Sequence, residues 1–232
     1  MINNNPQPIR WQILDDAQAV AGEACQRILR SSQQAIEKKG FFSIVLAGGS
    51  TPKQTYLLLK KADTNWARWH IYYGDERCLP EDDAERNSVM VERAWLQHVP
   101  IPTAQIHPIP AQLDGVDAAR RYTLTVKAAL PFDMVLLGIG EDGHTASLFP
   151  KHEHLQPESV HAVFNAPKPP SERVTLSVEA LCNCGELLFL VTGAEKREAV
   201  AAWQRGENLP VTQIRPASGA TVLIDKAAAG SS

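Results

Sequence analysis

The segment Gly138-Ile139-Gly140-Glu141-Asp142-Gly143-His144-Thr145-Ala146-Ser147-Leu148-Phe149-Pro150 sets three glycines, two acids and one histidine directly after an apolar run at 132–137. An imidazole titrates near neutrality, so His144 suits proton transfer at physiological pH. Asp142 can fix its tautomer or contact a ligand. The same residues also fit a histidine that only bonds backbone carbonyls to hold a loop, and the segment alone leaves both readings open.

Three further clusters carry chemistry. Tyr73-Gly74-Asp75-Glu76-Arg77 puts two carboxylates and a guanidinium beyond a strand-like run. Arg77 suits a carboxylate or phosphate through its rigid donor fork, while Asp75 or Glu76 suits a histidine or a sugar hydroxyl. A structural Arg–carboxylate pair is the alternative, and the lone Asn87 adds little. Leu46-Ala47-Gly48-Gly49-Ser50-Thr51-Pro52 can cradle a phosphate on glycine backbone, hydroxyls and a helix start, or form an ordinary turn capped by Thr51. It lacks the P-loop spacing, G-x-G-x-x-G does not follow this strand, and Gly138-Ile139-Gly140 is not read as completing that fingerprint. Finally, Arg173 opens a strand-like run and Lys196 a helix-like one. A cation at a helix start opposes the dipole, which is easier to understand if an anion also sits there.

Other chemistries find little support. No G-x-S-x-G elbow occurs, and neither Ser50 nor Ser147 stands beside a base in sequence, so nothing requires a covalent mechanism. Cys182-x-Cys184 has no second pair to complete a metal site, and with Cys25 and Cys78 it reads as free thiol. His152-x-His154 reads as surface. The expectation from these residues is no metal site.

These clusters need a scaffold. Helical spacing of apolar residues predicts a helix over 17–39, and a continuous apolar strand follows at 41–47. Pro52 suits the first helical position, which predicts a helix over 52–61. Strand 69–73, helix 84–97, a weak strand 105–109, helix 114–129 and strand 132–137 continue the alternation. Strands at 160–164, 173–178, 186–191 and 220–224 and a helix over 194–204 complete it, with a fraying tail from 227. Alternation of this kind predicts an α/β fold with a mostly parallel, doubly wound sheet and helices on both faces. Ligands of such sheets bind beyond the carboxyl ends of the strands, where segments 48–51, 74–77 and 138–144 all fall.

The chain of 232 residues fits one domain spanning 1–232, with no repeat, low-complexity tract or evident linker. A net charge of -3 without a long basic run argues against broad nucleic-acid binding. No signal-like start and no apolar stretch of membrane-spanning length is read, which favours the cytoplasm. Monomer and homodimer both remain open.

Together, LAGGSTP at 46–52, YYGDER at 72–77 and GIGEDGHTASLFP at 138–150, supported by RVTLS at 173–177 and TGAEKR at 192–197, resemble the 6-phosphogluconolactonase family across nearly the whole chain. The resemblance implies a modified doubly wound, Rossmann-like fold. It also implies hydrolysis of a small-molecule sugar-phosphate lactone without metal or organic cofactor. By the same resemblance His144 corresponds to the general base, and Gly49, Ser50 and Thr51 to a phosphate cradle with Arg173 and Lys196 as its cations. Asp75 and Arg77 then line the reactive end. The wider group includes glucosamine-6-phosphate deaminases and ribose-5-phosphate isomerases. The deaminases resemble one another in a different continuation after the histidine, with a catalytic glutamate, and here no glutamate follows before Glu153. A non-catalytic sugar-phosphate sensor is the remaining alternative; turnover separates it from an enzyme.

Overall fold

A computed structural model describes residues 8–152 and 158–230. Its main sheet has six parallel strands in the order β1 (Arg10–Leu14), β9 (Ala220–Asp225), β8 (Cys184–Val191), β5 (Phe132–Leu137), β2 (Phe42–Leu46), β3 (Trp69–Tyr73). Helices pack on both faces, as the alternation predicts, so this is a doubly wound, Rossmann-like α/β fold. Every residue of β2 is buried, which explains its unbroken apolar run. From β2 the chain moves out to β3, whereas from β5 it moves the other way to β8 and β9. The order therefore reverses between β2 and β5, and a crevice opens there beyond the strand ends.

Helix α1 (Ala17–Lys39) matches its apolar periodicity. Asp16 caps its start by accepting from Ala19 N–H at 2.8 Å, and Gly40 ends it. Elsewhere tertiary contacts move the boundaries. Helix α2 (Ser50–Leu59) starts at Ser50, with Gly49 before it, so Thr51 lies in the first turn and is not the cap. The Thr51 hydroxyl instead shares a 2.6 Å hydrogen bond with Thr192 beyond β8. Helix α3 (Asn87–Ala94) is shorter than the span 84–97 suggests. The weak strand at 105–109 contributes only an isolated bridge, Ile106 to Ile71, because Pro108 and Pro110 remove the donors a ladder needs. Helix α4 (Gly115–Ala129) is close to expectation, with Asp114 as its cap.

The strands expected at 160–164 and 173–178 do not join the main sheet. They form β6 (Val160–Val163) and β7 (Arg173–Leu176), which with β4 (Asp75–Arg77) make a small antiparallel sheet in the order β4-β7-β6. Strand β7 stops at Leu176 because the Ser177 side chain caps the short helix α5 (Val178–Cys182). After β8, a single 3-10 turn (Ala194–Lys196) leads into α6 (Arg197–Gln204), and α7 (Pro210–Gln213) follows. Residues 227–230 do not fray: Asp225 caps α8 (Lys226–Ala229) by accepting from Ala228 N–H at 2.8 Å. The cysteines are free thiols. Among the described residues, no helix is long and apolar enough to cross a membrane.

A buried carboxylate ties the small sheet to α3. Glu76 in β4 is inaccessible to solvent, accepts from Asn87 N–H at 2.7 Å and Ser88 N–H at 2.8 Å, and faces Arg86 Nε at 3.5 Å. Helix α3 thus begins where Glu76 satisfies its first N–H groups. Glu76→Ala leaves Arg86 buried without its counter-ion. The expected loss is about 3–5 kcal/mol of unfolding free energy in urea titrations. A loss within the scatter of surface substitutions contradicts this role.

Candidate active site

The crevice between β2 and β5 opens into a cleft of about 270 Å³. A larger hollow of about 560 Å³ lies beside α4 and β6, but its described lining carries a single Arg and no Lys. Arg77, Lys168, Arg173 and Lys196 line the cleft with Asp75 and His144. Four cations against one carboxylate favour an anionic ligand.

His144 is held by its own loop. Gly140 N–H donates to His144 O at 2.8 Å, Gly143 N–H to Gly140 O at 3.0 Å, and the Thr145 hydroxyl to Gly138 O at 2.8 Å. Leu148 N–H closes the next turn onto Thr145 O at 2.9 Å, with Ala146 in the left-handed region at φ 48°. From outside, Val211 N–H donates to Gly143 O at 3.2 Å, so α7 buttresses the loop. A side chain at Gly140 would put its Cβ 1.9 Å from His144 Nδ1, so a glycine is needed for this close approach.

The imidazole Nδ1 pairs with Asp142 Oδ1. Burial lowers the His144 pKa from its usual 6.5, and the upward pull of Asp142 only partly offsets this. Burial pushes the Asp142 carboxyl up, but bonds from the His144 ring and backbone outweigh it and hold the carboxyl below its usual range. A neutral imidazole donating from Nδ1 to Asp142 leaves the Nε2 lone pair free.

Asp75 is buried at the cleft wall. Its Oδ2 accepts from the Ser147 hydroxyl at 2.6 Å and its Oδ1 from Asn87 Nδ2 at 3.1 Å. Arg77 lines the cleft and donates from Nη1 to Glu85 O. Arg173 donates to three carbonyls of the proline loop: Pro170 O at 3.2 Å, Lys168 O at 3.1 Å and Pro169 O at 3.0 Å. Carbonyls do not neutralise it, so Arg173 both anchors the loop and brings a charge to the cleft. Burial lowers its pKa, while Asp75 pulls it upward. Lys196 Nζ lies 4.0 Å from the exposed Glu141 carboxylate. Its turn is fixed by Gly193 N–H donating to the Asp225 carboxylate at 3.1 and 3.2 Å.

Of the residues singled out from sequence, the cleft brings together His144, Asp75, Arg77, Gly49, Arg173 and Lys196. Ser50 is exposed and Thr51 is buried against Thr192, and neither lines the cleft. Lys168, Asn87 and Ser147 were not readable as site residues. Lys168 sits in an irregular proline loop, Asn87 joins the cleft wall only where the start of α3 meets β4, and Ser147 meets the site through Asp75. Gly138, Gly140 and Gly143 do in fact stand at the G-x-G-x-x-G spacing, contrary to the reading above. No helix begins between 138 and 152, however, so the dipole end that would hold a pyrophosphate is absent there. Among the described residues no group of three or more His, Cys, Asp or Glu could hold a metal ion. His152 bonds the carbonyls of Pro150 and Asn165, and His154 lies outside the described residues.

Fold and site together define a doubly wound α/β protein with an acid–base pair in a cation-lined cleft at the strand switch point. The chain belongs to the glucosamine-6-phosphate isomerase/6-phosphogluconolactonase family, whose model matches residues 15–223. It is 36% identical over 228 residues to the 6-phosphogluconolactonase of Mycobacterium leprae, covering 91% of each chain. To that of Mycobacterium tuberculosis it is 38% identical over 226 residues, covering 90% of each. The crystal structure of 6-phosphogluconolactonase from Thermotoga maritima superposes with a TM-score of 0.88 at 27% identity, covering 94% of this chain and 100% of that one. A monomeric glucosamine-6-phosphate deaminase, at 23% identity and a TM-score of 0.83, shares the fold.

Gly140→Ala should displace His144 from Asp142. The expected result is a fall in turnover of a sugar-phosphate lactone of about 10²-fold or more. Turnover equal to that of the native protein contradicts the close approach.

Proposed function

We propose that this protein hydrolyses 6-phosphogluconolactone to 6-phosphogluconate, with residues 1–232 acting as one catalytic unit. The observation that carries the reading is the His144–Asp142 pair at a cleft lined by four cations. The relatives of similar sequence bearing the lactonase name support the substrate.

The substrate phosphate is bound by Lys196 and Arg173, with the backbone of Gly48 and Gly49 and the free N–H groups at the start of α2. Anchoring that remote group orients the lactone carbonyl toward His144. His144 Nε2 takes a proton from water as the water oxygen bonds to the carbonyl carbon. Negative charge then develops on the carbonyl oxygen, where Arg77 stabilises it. As the carbon–ring oxygen bond breaks, the imidazolium returns its proton to the departing oxygen. The products are a hydroxyl and a carboxylic acid, which ionises. Asp142 keeps the imidazole in the reactive tautomer and stabilises its cation. Asp75, fixed by Ser147 and Asn87, holds the wall beside the reacting carbon.

His144→Gln should lower kcat by about 10²–10⁴-fold while substrate still binds. The comparison is made against an enzyme-free blank, because the lactone opens spontaneously; unchanged kcat removes His144 as the base. Lys196→Ala should mainly raise KM, by about 10–100-fold for a lost charge-assisted bond, with kcat less affected. An unchanged KM dismisses its phosphate role.

The pH profile follows from the pKa direction. The neutral imidazole is the active form and burial depresses its pKa, so the acid limb of kcat/KM should fall below pH 6.5. Asp142→Asn removes an anion that raises this pKa, so its limb should lie lower still, with reduced kcat. A native limb at or above 6.5 contradicts the assignment.

A further inference from the structure

We infer that the side-chain oxygen of Asn87 accepts a hydrogen bond from a hydroxyl of the bound sugar and so selects the substrate's hydroxyl pattern; this rests on the lactonase reading. Sequence gave Asn87 no role, but the fold places it in the cleft wall, 4% exposed.

Its orientation is set by its neighbours. The backbone N–H donates to Glu76 Oε1 at 2.7 Å. The side-chain Nδ2 donates to Asp75 O at 3.0 Å and Asp75 Oδ1 at 3.1 Å. Turning the amide over would set its oxygen against two acceptors, so the nitrogen must face Asp75 and the oxygen must face away. On that side lies Gly48, where an added Cβ would come within 2.0 Å of Asn87 Oδ1. The missing side chain at Gly48 thus leaves the amide oxygen its place at the cleft floor.

The accounting of acceptors points to a ligand. A sugar lactone brings several hydroxyl donors, and each one buried in the cleft needs an acceptor. The cations supply none. Of the carboxylate and amide oxygens on the lining side chains, both Asp75 oxygens already accept protein hydrogen bonds. Asn87 Oδ1 accepts none from the described residues, and it is not among the buried unpartnered atoms. A rigid acceptor left open in a ligand cleft discriminates strongly, because a ligand lacking the matching hydroxyl leaves it unpaired.

The test measures kcat/KM for the phosphorylated lactone and its singly deoxygenated analogues, on the native protein and on Asn87→Ala and Asn87→Ser. The native protein should lose about 10–100-fold on one analogue, and the variants should lose a similar factor on the full substrate but little further on that analogue. Equal penalties from the variants on every analogue would mean that Asn87 only holds Asp75 in place, which overturns the inference. Native turnover no faster than the blank would count against the lactonase reading itself. Calorimetric binding of 6-phosphogluconate and its deoxy forms to native protein and variants then decides the inference by the same coupling, whose absence also overturns it.

Discussion

One wall of the cleft depends on one buried carboxylate. Glu76 sits where the chain leaves the main sheet, and it can be dry only because backbone N–H groups and Arg86 surround it. An isolated carboxylate there would be too costly to bury. Satisfying it ties β4 to the start of α3, which brings Asp75, Arg77 and Asn87 to one wall. Strand β7, paired with β4, carries Arg173 to the same place. The small antiparallel sheet is therefore the device that adds a second wall to a crevice the parallel sheet makes on its own.

The charges of the cleft are arranged to stay available. Arg173 is held by carbonyls, which orient a guanidinium without cancelling it. The counter-ion of Lys196 is the exposed Glu141, and exposed pairs are weak enough for a phosphate to displace. The only carboxylate among the described lining residues is occupied by Ser147 and Asn87. An anionic ligand thus meets a field of one dominant sign, while burial opposes the charging of His144.

Fold alone does not choose the reaction here. A glucosamine-6-phosphate deaminase shares the architecture, and one fold can carry different chemistries. In this chain the segment after His144 turns back through Thr145–Leu148 and sends Ser147 inward to Asp75.

By itself the sequence determined the alternation of buried strands and helices, the parallel sheet, and the three segments that meet at the strand ends. These rest on periodicity, glycine turns and caps, which are local properties. It also singled out His144, Asp75, Arg77, Arg173 and Lys196, because charged groups beside glycine turns are visible in one dimension. The second sheet was not legible, since β6 and β7 look like any short strand-like run and β7 pairs with β4, far away in the chain. Nor were the start of α3, the diversion of Thr51 to Thr192, or the parts played by Lys168, Asn87 and Ser147. Each of those was decided by which polar partner a side chain meets once water is excluded, and that choice is made only by tertiary packing.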